Sequence, residues 1–406
     1  MPDYVELHCH SGFSFLDGAS LPHELAAAAA NQGHEALAIT DHDGVWGAME
    51  FAQACKPLGV RPTVGAEVTV VDGSPTPFHV TLLVESRAGW RNLCRLLTAA
   101  HAGTRPAPGR EPLPPRVTLD DLEEHSEGLV CLSGCAREGA LAGVFERAAG
   151  RPAPAAARLA LARARRLAAA FGRERFRVEL QRPFARRDRA RNRWLAELAE
   201  RVGVPTVATG NVHAHERRRA YLQDALVAVR LGLTLDESEA QRRGNRSAVL
   251  VPPAEMAARF ADHPDAVAES ARLAERLRFD LTRDLGYRYP GAEDPTADRR
   301  LAELCEVRFD ARYAGTPERH EARARLEEEL RVIRKLGLSG FFLLHADLLE
   351  LARDVAVEVR GPESARSLLP PGRGRGSSVS SVVCYLTGLS HVDPVKAGLF
   401  LGRFLN

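Results

Sequence analysis

The sequence predicts an α/β protein whose first half is a seven-stranded barrel with helices outside, continued by a mainly helical segment. Two observations carry this reading. Over the first 215 residues, short β-branched or apolar runs alternate with Ala- and Leu-rich helical stretches. That alternation implies parallel strands with helices on the outside, as a barrel or a doubly wound sheet. No GxGxxG follows the first apolar run, which weighs against the dinucleotide-binding form of the doubly wound sheet and favours a barrel. A chain of 406 residues and 44.2 kDa also exceeds one ordinary domain, so two or three are expected.

In chain order, the predicted strands are Tyr4–His10, Ala36–Thr40, Pro62–Val70, Phe78–Glu85, Gly128–Ser133, Phe176–Gln181 and Pro205–Asn211. The predicted helices between them are Leu21–Gln32, Trp46–Leu58, Gly89–Ala100, Ala155–Gly172 and Arg187–Val202. Two breaks rich in Pro, Gly and Arg, Gly103–Pro115 and Gly150–Pro154, read as exposed loops. From Ala214 to about Phe279 the apolar residues fall at three-to-four spacing, the mark of amphipathic helices. The polar stretch Asp284–Pro295 then makes a domain boundary. The expected organisation is a barrel over 1–215, a helical extension over 216–285 and a further domain over 286–406. In that last part helices are expected at Asp298–Ala314 and Glu318–Leu336, then an insertion-like ESARSLLPPG, then a Gly-rich turn opening a helix at about Val379–Leu386.

Composition excludes several classes. With 45% hydrophobic and 27% charged residues the chain is globular and not disordered. Fifty-five basic against fifty-three acidic residues leave a net charge of +2, which excludes a histone-like polycation. There is no secretory signal pattern and no apolar run near the roughly 20 residues a membrane span needs. Seven scattered cysteines without a CxxC pair argue against a disulfide framework or zinc ribbon, and a cytoplasmic protein with no membrane partner is expected. In the Arg-rich stretch Arg158–Arg201 the arginines fall, at helical spacing, opposite Leu159, Leu161, Leu167, Leu195 and Leu198, and the stretch is read as a solvated outer face, not a nucleic-acid platform.

Histidine carries the chemistry. His8 and His10 stand two apart on the first predicted strand, so both point to one face and can share a metal ion. Other ligand-type residues recur where strands end or turn: Asp17, Asp41 and His42, Glu67, His79, Cys135, and Asn211 with His213. In a parallel barrel the carboxyl ends of the strands meet on one face, which would gather these residues into one cluster. Mixed His, carboxylate and thiolate donors suit Zn²⁺, Mn²⁺ or Fe²⁺. Several such ions together would activate a water and neutralise a phosphate, the logic of phosphoester hydrolysis. His23, His34 and His215 have no comparable placement and are read as surface histidines.

The segments HCHSGFSFLDGA, ITDHDGVWGAMEF, VGAEVTV, FHVTLLVES, LVCLSGC and ATGNVHAHE resemble, in order, the motifs of the polymerase and histidinol phosphatase (PHP) domain found at the N-terminus of bacterial DNA polymerase III alpha subunits. The resemblance implies a distorted, TIM-like seven-stranded β/α barrel with a metal cluster at its carboxyl end. It places metal ligands on His8, His10, Asp17, His42, Glu67, His79, Cys135, Asn211 and His213, with Glu67, His8 and His10 central to any hydrolysis. At Asn211 the family pattern usually has Asp. The neutral amide predicts weaker binding of one ion, and it sets an inert scaffold that docks other proteins against a working hydrolase.

Near the C-terminus, a Gly-rich turn with Ser377 and Ser378 feeds a helix, a place where backbone N–H groups can meet a phosphate. PGRGRGSSVSSVVCYLTGLSHVDPVKAGLFLGRFLN resembles the glycine-serine, VDP and RFLN segments of the same family's nucleotidyltransferase palm, an α+β domain, with VCY leaning toward the error-prone branch. The resemblance implies that Gly376, Ser377 and Arg375, with Arg373 nearby, face the triphosphate of an incoming nucleotide. The family's polymerase aspartates, which hold Mg²⁺, lie in a PDxDxDF-like segment shortly after RFLN. The sequence stops at Asn406 without one, so the expectation is the N-terminal piece of a longer polymerase or a truncated product, unable to extend DNA as it stands. The function implied is that of a DNA-directed DNA polymerase in replication or translesion repair synthesis, with DNA, deoxynucleoside triphosphates and other replication or repair proteins as partners. The barrel would add a phosphoesterase of 3′–5′ exonuclease type. A stand-alone PHP phosphoesterase and an inert PHP scaffold are the alternatives.

Overall fold

The computed structural model describes residues 4–105, 111–148, 151–364, 374–400, 402, 404 and 405. The chain divides into two compact units, Met1–Leu285 and Gly286–Asn406.

The first unit is built on seven strands: β1 (Ala36–His42), β2 (Arg61–Val71), β3 (Phe78–Val84), β4 (Val117–Thr118), β5 (Leu129–Leu132), β6 (Phe176–Gln181) and β7 (Thr206–Thr209). They form one curled sheet in the order β1-β2-β3-β5-β6-β7, with β4 beside β2. The sheet is mixed, which corrects the expectation of parallel pairing throughout: β3 runs antiparallel to both β2 and β5. The reason lies in the link between β2 and β3, which is only residues 72–77. A parallel crossover needs a dozen residues or more, so a link this short can only make a hairpin.

Tyr4–His10 is extended but forms no continuous ladder, a second departure from expectation. It touches β1 through a Glu6–Leu37 bridge and the segment after β7 through a Cys9–Val212 bridge, and so lies between the two edges of the sheet. Its backbone donors go partly to side chains: His8 N–H to Glu6 Oε1 (3.0 Å) and Cys9 N–H to Thr40 Oγ1 (3.0 Å). Those bonds replace ladder bonds while keeping the buried groups satisfied.

Helices α1 (Pro22–Asn31), α2 (Ala48–Cys55), α3 (Arg87–Ala102), α4 (Leu119–Glu124), α5 (Ala142–Arg147), α6 (Pro154–Phe171) and α7 (Asp188–Val202) cover the strands, which are buried along nearly their whole length. α3 starts where Ser86 Oγ accepts the Gly89 N–H, and α7 stops where Gly203 takes a left-handed turn (φ 74°). α8 (Ala220–Leu231), α9 (Pro253–Arg259) and α10 (Pro264–Arg276) follow. α10 and the residue after it bury Leu273, Ala274 and Leu277 against Leu7, Ala38, Val130 and Val207, so these helices share a core with the strands. At roughly 1.5–3 kcal/mol per buried Leu, this contact is a substantial anchor.

Four side chains overturn surface expectations, one of them Arg177, 5% exposed and paired with Glu269 at 2.6 Å. Arg163 and Arg191 lie in the Arg-rich stretch yet are 2% and 1% exposed. Arg163 pairs with Asp72, and Arg191 with Glu146 and Asp188, so each charge is compensated in the interior. His34 is also buried, within 3.0 Å of the Val251 carbonyl through Nε2.

The second unit holds α11 (Ala297–Tyr313), α12 (Arg319–Lys335), α13 (Ser339–Arg360), a 3₁₀ turn at Gly376–Ser380 and a short helix, Val382–Thr387. Leu301, Cys305, Phe309 and Tyr313, four residues apart, line one face of α11 and pack with Leu326, Ile333, Val382 and Val383. The last helix begins later than predicted because the 3₁₀ turn precedes it and Ser381 caps it, accepting the Cys384 N–H at 3.0 Å. Arg373, most of ESARSLLPPG, and parts of both Pro/Gly loops lie outside the described residues. Among the described residues, no helix is long and apolar enough to cross a membrane.

Candidate metal centre

Glu67, on β2, is the hub. Its Oε1 lies 3.4 Å from His8 Nε2; its Oε2 lies 2.9 Å from His42 Nδ1, 3.5 Å from His79 Nδ1 and 3.8 Å from His10 Nε2. Two groups of donors therefore share one carboxylate: His8, His10 and Glu67, and His42, Glu67 and His79. Parallel register brings His42 of β1 beside Glu67, and the β2–β3 hairpin brings in His79. Gly134 closes the approach from β5: it adopts φ 88°, and a Cβ there would lie 2.1 Å from the His79 carbonyl oxygen.

Hydrogen bonding settles the state of the rings. His8 Nδ1 donates to Glu179 Oε1 (2.7 Å), a carboxylate that also accepts from Gln181 Nε2 (2.6 Å) and Thr209 Oγ1. Ser14 Oγ spends its proton on Asp41 Oδ1 (2.8 Å) and so accepts from His10 Nδ1 (3.0 Å). Both rings thus direct Nε2 inward, 3.1 Å apart and toward Glu67. Three acceptors meeting in the interior require a cation, either a proton or a metal ion. Where protons serve, burial disfavours the His8 imidazolium, but Glu179 and Glu67 outweigh it and raise its pKa to about 10. His42 is likewise raised despite burial, through Asp43 and Glu67. Burial pushes Glu67 up, and the surrounding histidines hold it well below the usual carboxylate range. Glu67 Oε1 and His79 Nδ1 are buried without a hydrogen-bond partner. These orphaned donors fit a metal ion.

Not every residue expected in the cluster joins these groups. Cys135 is buried with its Sγ accepting the Glu138 N–H (3.4 Å), and burial raises its thiol pKa well above the usual value. Asp17 instead pairs with His213, Oδ2 to Nε2 at 2.9 Å, and His213 Nδ1 donates to the Asn211 carbonyl (2.9 Å). Asn211 sits at φ 49°, a left-handed conformation Asn tolerates, and its Oδ1 is buried without a partner. Glu179, Ser14 and Asp43, which orient the histidines, were missed as functional residues, and Asp41, expected among the ligand-type residues, orients His10 through Ser14. The alternation in FRVELQ, which puts Arg177, Glu179 and Gln181 on one face of a predicted strand, was the available signal for Glu179.

In the second unit, Arg375, Gly376 and Ser377 lie on or beside the 3₁₀ turn, Gly376 and Ser377 exposed. The N–H groups at the start of the following helix, expected to be free for a phosphate, are already taken: Glu329 accepts from Val382 N–H (2.8 Å), Val383 N–H (3.0 Å) and Ser381 Oγ–H (2.7 Å). The carboxylate of α12 acts as an internal cap.

Residues 6–183 match the PHP domain, and residues 299–406 match the bacterial DNA polymerase III alpha NTPase domain. Over 99% of its length the chain is 38% identical to an error-prone DNA polymerase of Symbiobacterium thermophilum and 37% identical to one of Mycobacterium tuberculosis. Along nearly its whole length the chain is similar to error-prone DNA polymerases, and its second unit matches a bacterial DNA polymerase III alpha domain. The chain spans 36% and 35% of the length of those two relatives. Among solved structures, an amidohydrolase from Chromobacterium violaceum with bound sulfate and no metal aligns over 52% of this chain and 87% of its own, at 19% identity and a TM-score of 0.38. A metal-dependent phosphoesterase from Bifidobacterium adolescentis aligns over the same shares at 18% identity and a TM-score of 0.33. The PHP match ends at residue 183, so Asn211 and His213 lie beyond it.

Proposed function

We propose that this chain forms the N-terminal part of an error-prone DNA polymerase acting in replication or translesion repair synthesis, and that its first unit is a PHP metal centre hydrolysing phosphodiesters at a DNA 3′ end. Glu67, shared between His8/His10 and His42/His79, is the observation that carries the metal-centre reading. Zn²⁺, Mn²⁺ or Fe²⁺ suits this His-rich donor set and would supply water activation and charge neutralisation at a phosphate. The chain's own contribution is orientation. Glu179 holds His8, Ser14 and Asp41 hold His10, and Asp43 holds His42 through an Nε2–Oδ2 contact of 3.1 Å. In the second unit, Arg375, Gly376 and Ser377 are proposed to meet the triphosphate of a deoxynucleoside triphosphate. With Glu329 on the helix start, the exposed turn and the guanidinium carry that contact; Mg²⁺ belongs to the whole polymerase.

A second reading, an inert PHP scaffold that docks replication or repair proteins, draws on the neutral amide of Asn211. One gel separates the two. End-labelled primer–template DNA is incubated with the protein, all four nucleotides, and Mn²⁺, Mg²⁺ or Zn²⁺ in turn. Shortened primers, lost in His8→Ala and His10→Ala, support the hydrolase; unchanged primers under all three metals support the scaffold.

A further inference from the structure

We infer that Arg243 stands in for a metal ion at the Asp17–His213 corner of the centre, so that this chain holds two divalent ions and carries a guanidinium in the place of a third. The inference rests on the metal-centre reading above.

His213 donates through Nδ1 to the Asn211 carbonyl, so a neutral ring presents a lone pair at Nε2. Asp17 Oδ2 lies 2.9 Å from that nitrogen, and two acceptors at that separation need a shared cation. Arg243 supplies it: its Nη2 contacts His213 Nε2 and lies 3.5 Å from Asp17 Oδ2. Arg230 adds a more distant charge, Nη1 lying 3.7 Å from Asp17 Oδ1. Among the described residues, the groupings able to hold a metal ion include neither Asp17 nor His213.

The number of donors favours the guanidinium. Asn211, which holds His213 through its carbonyl, contributes a neutral amide, and its buried Oδ1 finds no partner. Among the described residues Asp17 is then the one acid paired with His213, and two protein donors fall short of the three or more that hold a divalent ion. The position of Arg243 is also braced. The neighbouring Gln241 and Arg242 carbonyls accept from the Arg137 guanidinium at 3.1 and 3.0 Å, and Arg242 pairs with Asp224 at 3.0 Å. Farther along, Asn245 Nδ2 and Ser247 Oγ both donate to the Pro183 carbonyl, at 2.6 and 2.9 Å. His213 N–H donates to the Ala248 carbonyl (2.9 Å), tying the same segment to the strand end it covers.

The test is metal stoichiometry. The protein is stripped with chelator, loaded with Mn²⁺, desalted and measured by plasma mass spectrometry, beside the double variant Arg243→Met/Asn211→Asp. The wild type is expected to hold about two ions per chain and the double variant about three, because removing the guanidinium and adding a carboxylate restores a site for a divalent ion. Three ions in the wild type, or no gain in a folded double variant, would overturn the inference while leaving the metal-centre reading intact. Fewer than two in the wild type would overturn the metal-centre reading and the inference together. Arg243→Lys, which keeps the charge, is expected to stay at about two ions and serves as a folding control.

Discussion

Two buried glutamates, one in each unit, show how differently a polypeptide treats the same carboxylate. Glu329 is fully enclosed, and its oxygens accept three hydrogen bonds from Ser381, Val382 and Val383, with Arg325 Nε at 3.5 Å. Glu67 is 5% exposed and surrounded by imidazoles, and one of its oxygens has no hydrogen-bond partner. Burial raises the Glu329 pKa even with its hydrogen bonds, whereas the histidines hold Glu67 low. A carboxylate saturated by its own backbone is a structural part, because nothing is left for a ligand. A carboxylate kept short of donors beside several lone pairs is chemically unfinished, and a cation completes it.

The contrast can be broken by mutation, beginning with the largest effect. Glu329→Ala strands two backbone N–H groups, a hydroxyl and Arg325, and is expected to cost roughly 3–5 kcal/mol of stability in chemical denaturation. A loss under about 1 kcal/mol would show that the cap is dispensable. Glu67→Gln is expected to weaken metal binding by roughly 100-fold or more in a chelator competition, while destabilising the stripped protein less than Glu329→Ala does. Equal destabilisation would erase the distinction between the two residues.

Glu179→Gln sharpens the comparison one layer out. It weakens the acceptor that fixes the His8 tautomer, and metal affinity is expected to fall roughly 10- to 100-fold. Unchanged affinity would mean that His8 is oriented by packing alone. The smallest effect concerns Asp72, which the buried Arg163 guanidinium holds down to a pKa of about 2 against the desolvation that opposes it. A depressed carboxylate contributes stability above its unfolded pKa and loses it as pH falls through the folded one. The stability advantage of wild type over Asp72→Asn is therefore expected to be full above about pH 4 and to shrink toward pH 2. A gap that persists at pH 2 would mean that the ion pair is not its source.

Much of the fold was legible in the strand–helix alternation, because the two periodicities are local properties of the chain. The reversed β3 was legible too, in the brevity of the link over residues 72–77, though the alternation around it points the other way. The interrupted pairing of Tyr4–His10 was not, since it depends on Thr40 competing with backbone acceptors. At the candidate site the donors themselves were readable by type and spacing, His8 and His10 most plainly. Their partners were not: Glu179 lies 171 residues from His8 in sequence, and Arg243 lies 226 from Asp17.

By itself, the sequence determined which ligating side chains exist and which of them share a strand face, because covalent order and side-chain period suffice for that. Tertiary structure alone decided that Glu67 is left unsatisfied and Glu329 saturated, that His8 points its lone pair inward, and that a guanidinium meets Asp17 and His213. Each of these depends on contacts within a few ångströms between distant segments, and the field at a buried charge is set by those neighbours, whatever the residues beside it in the chain.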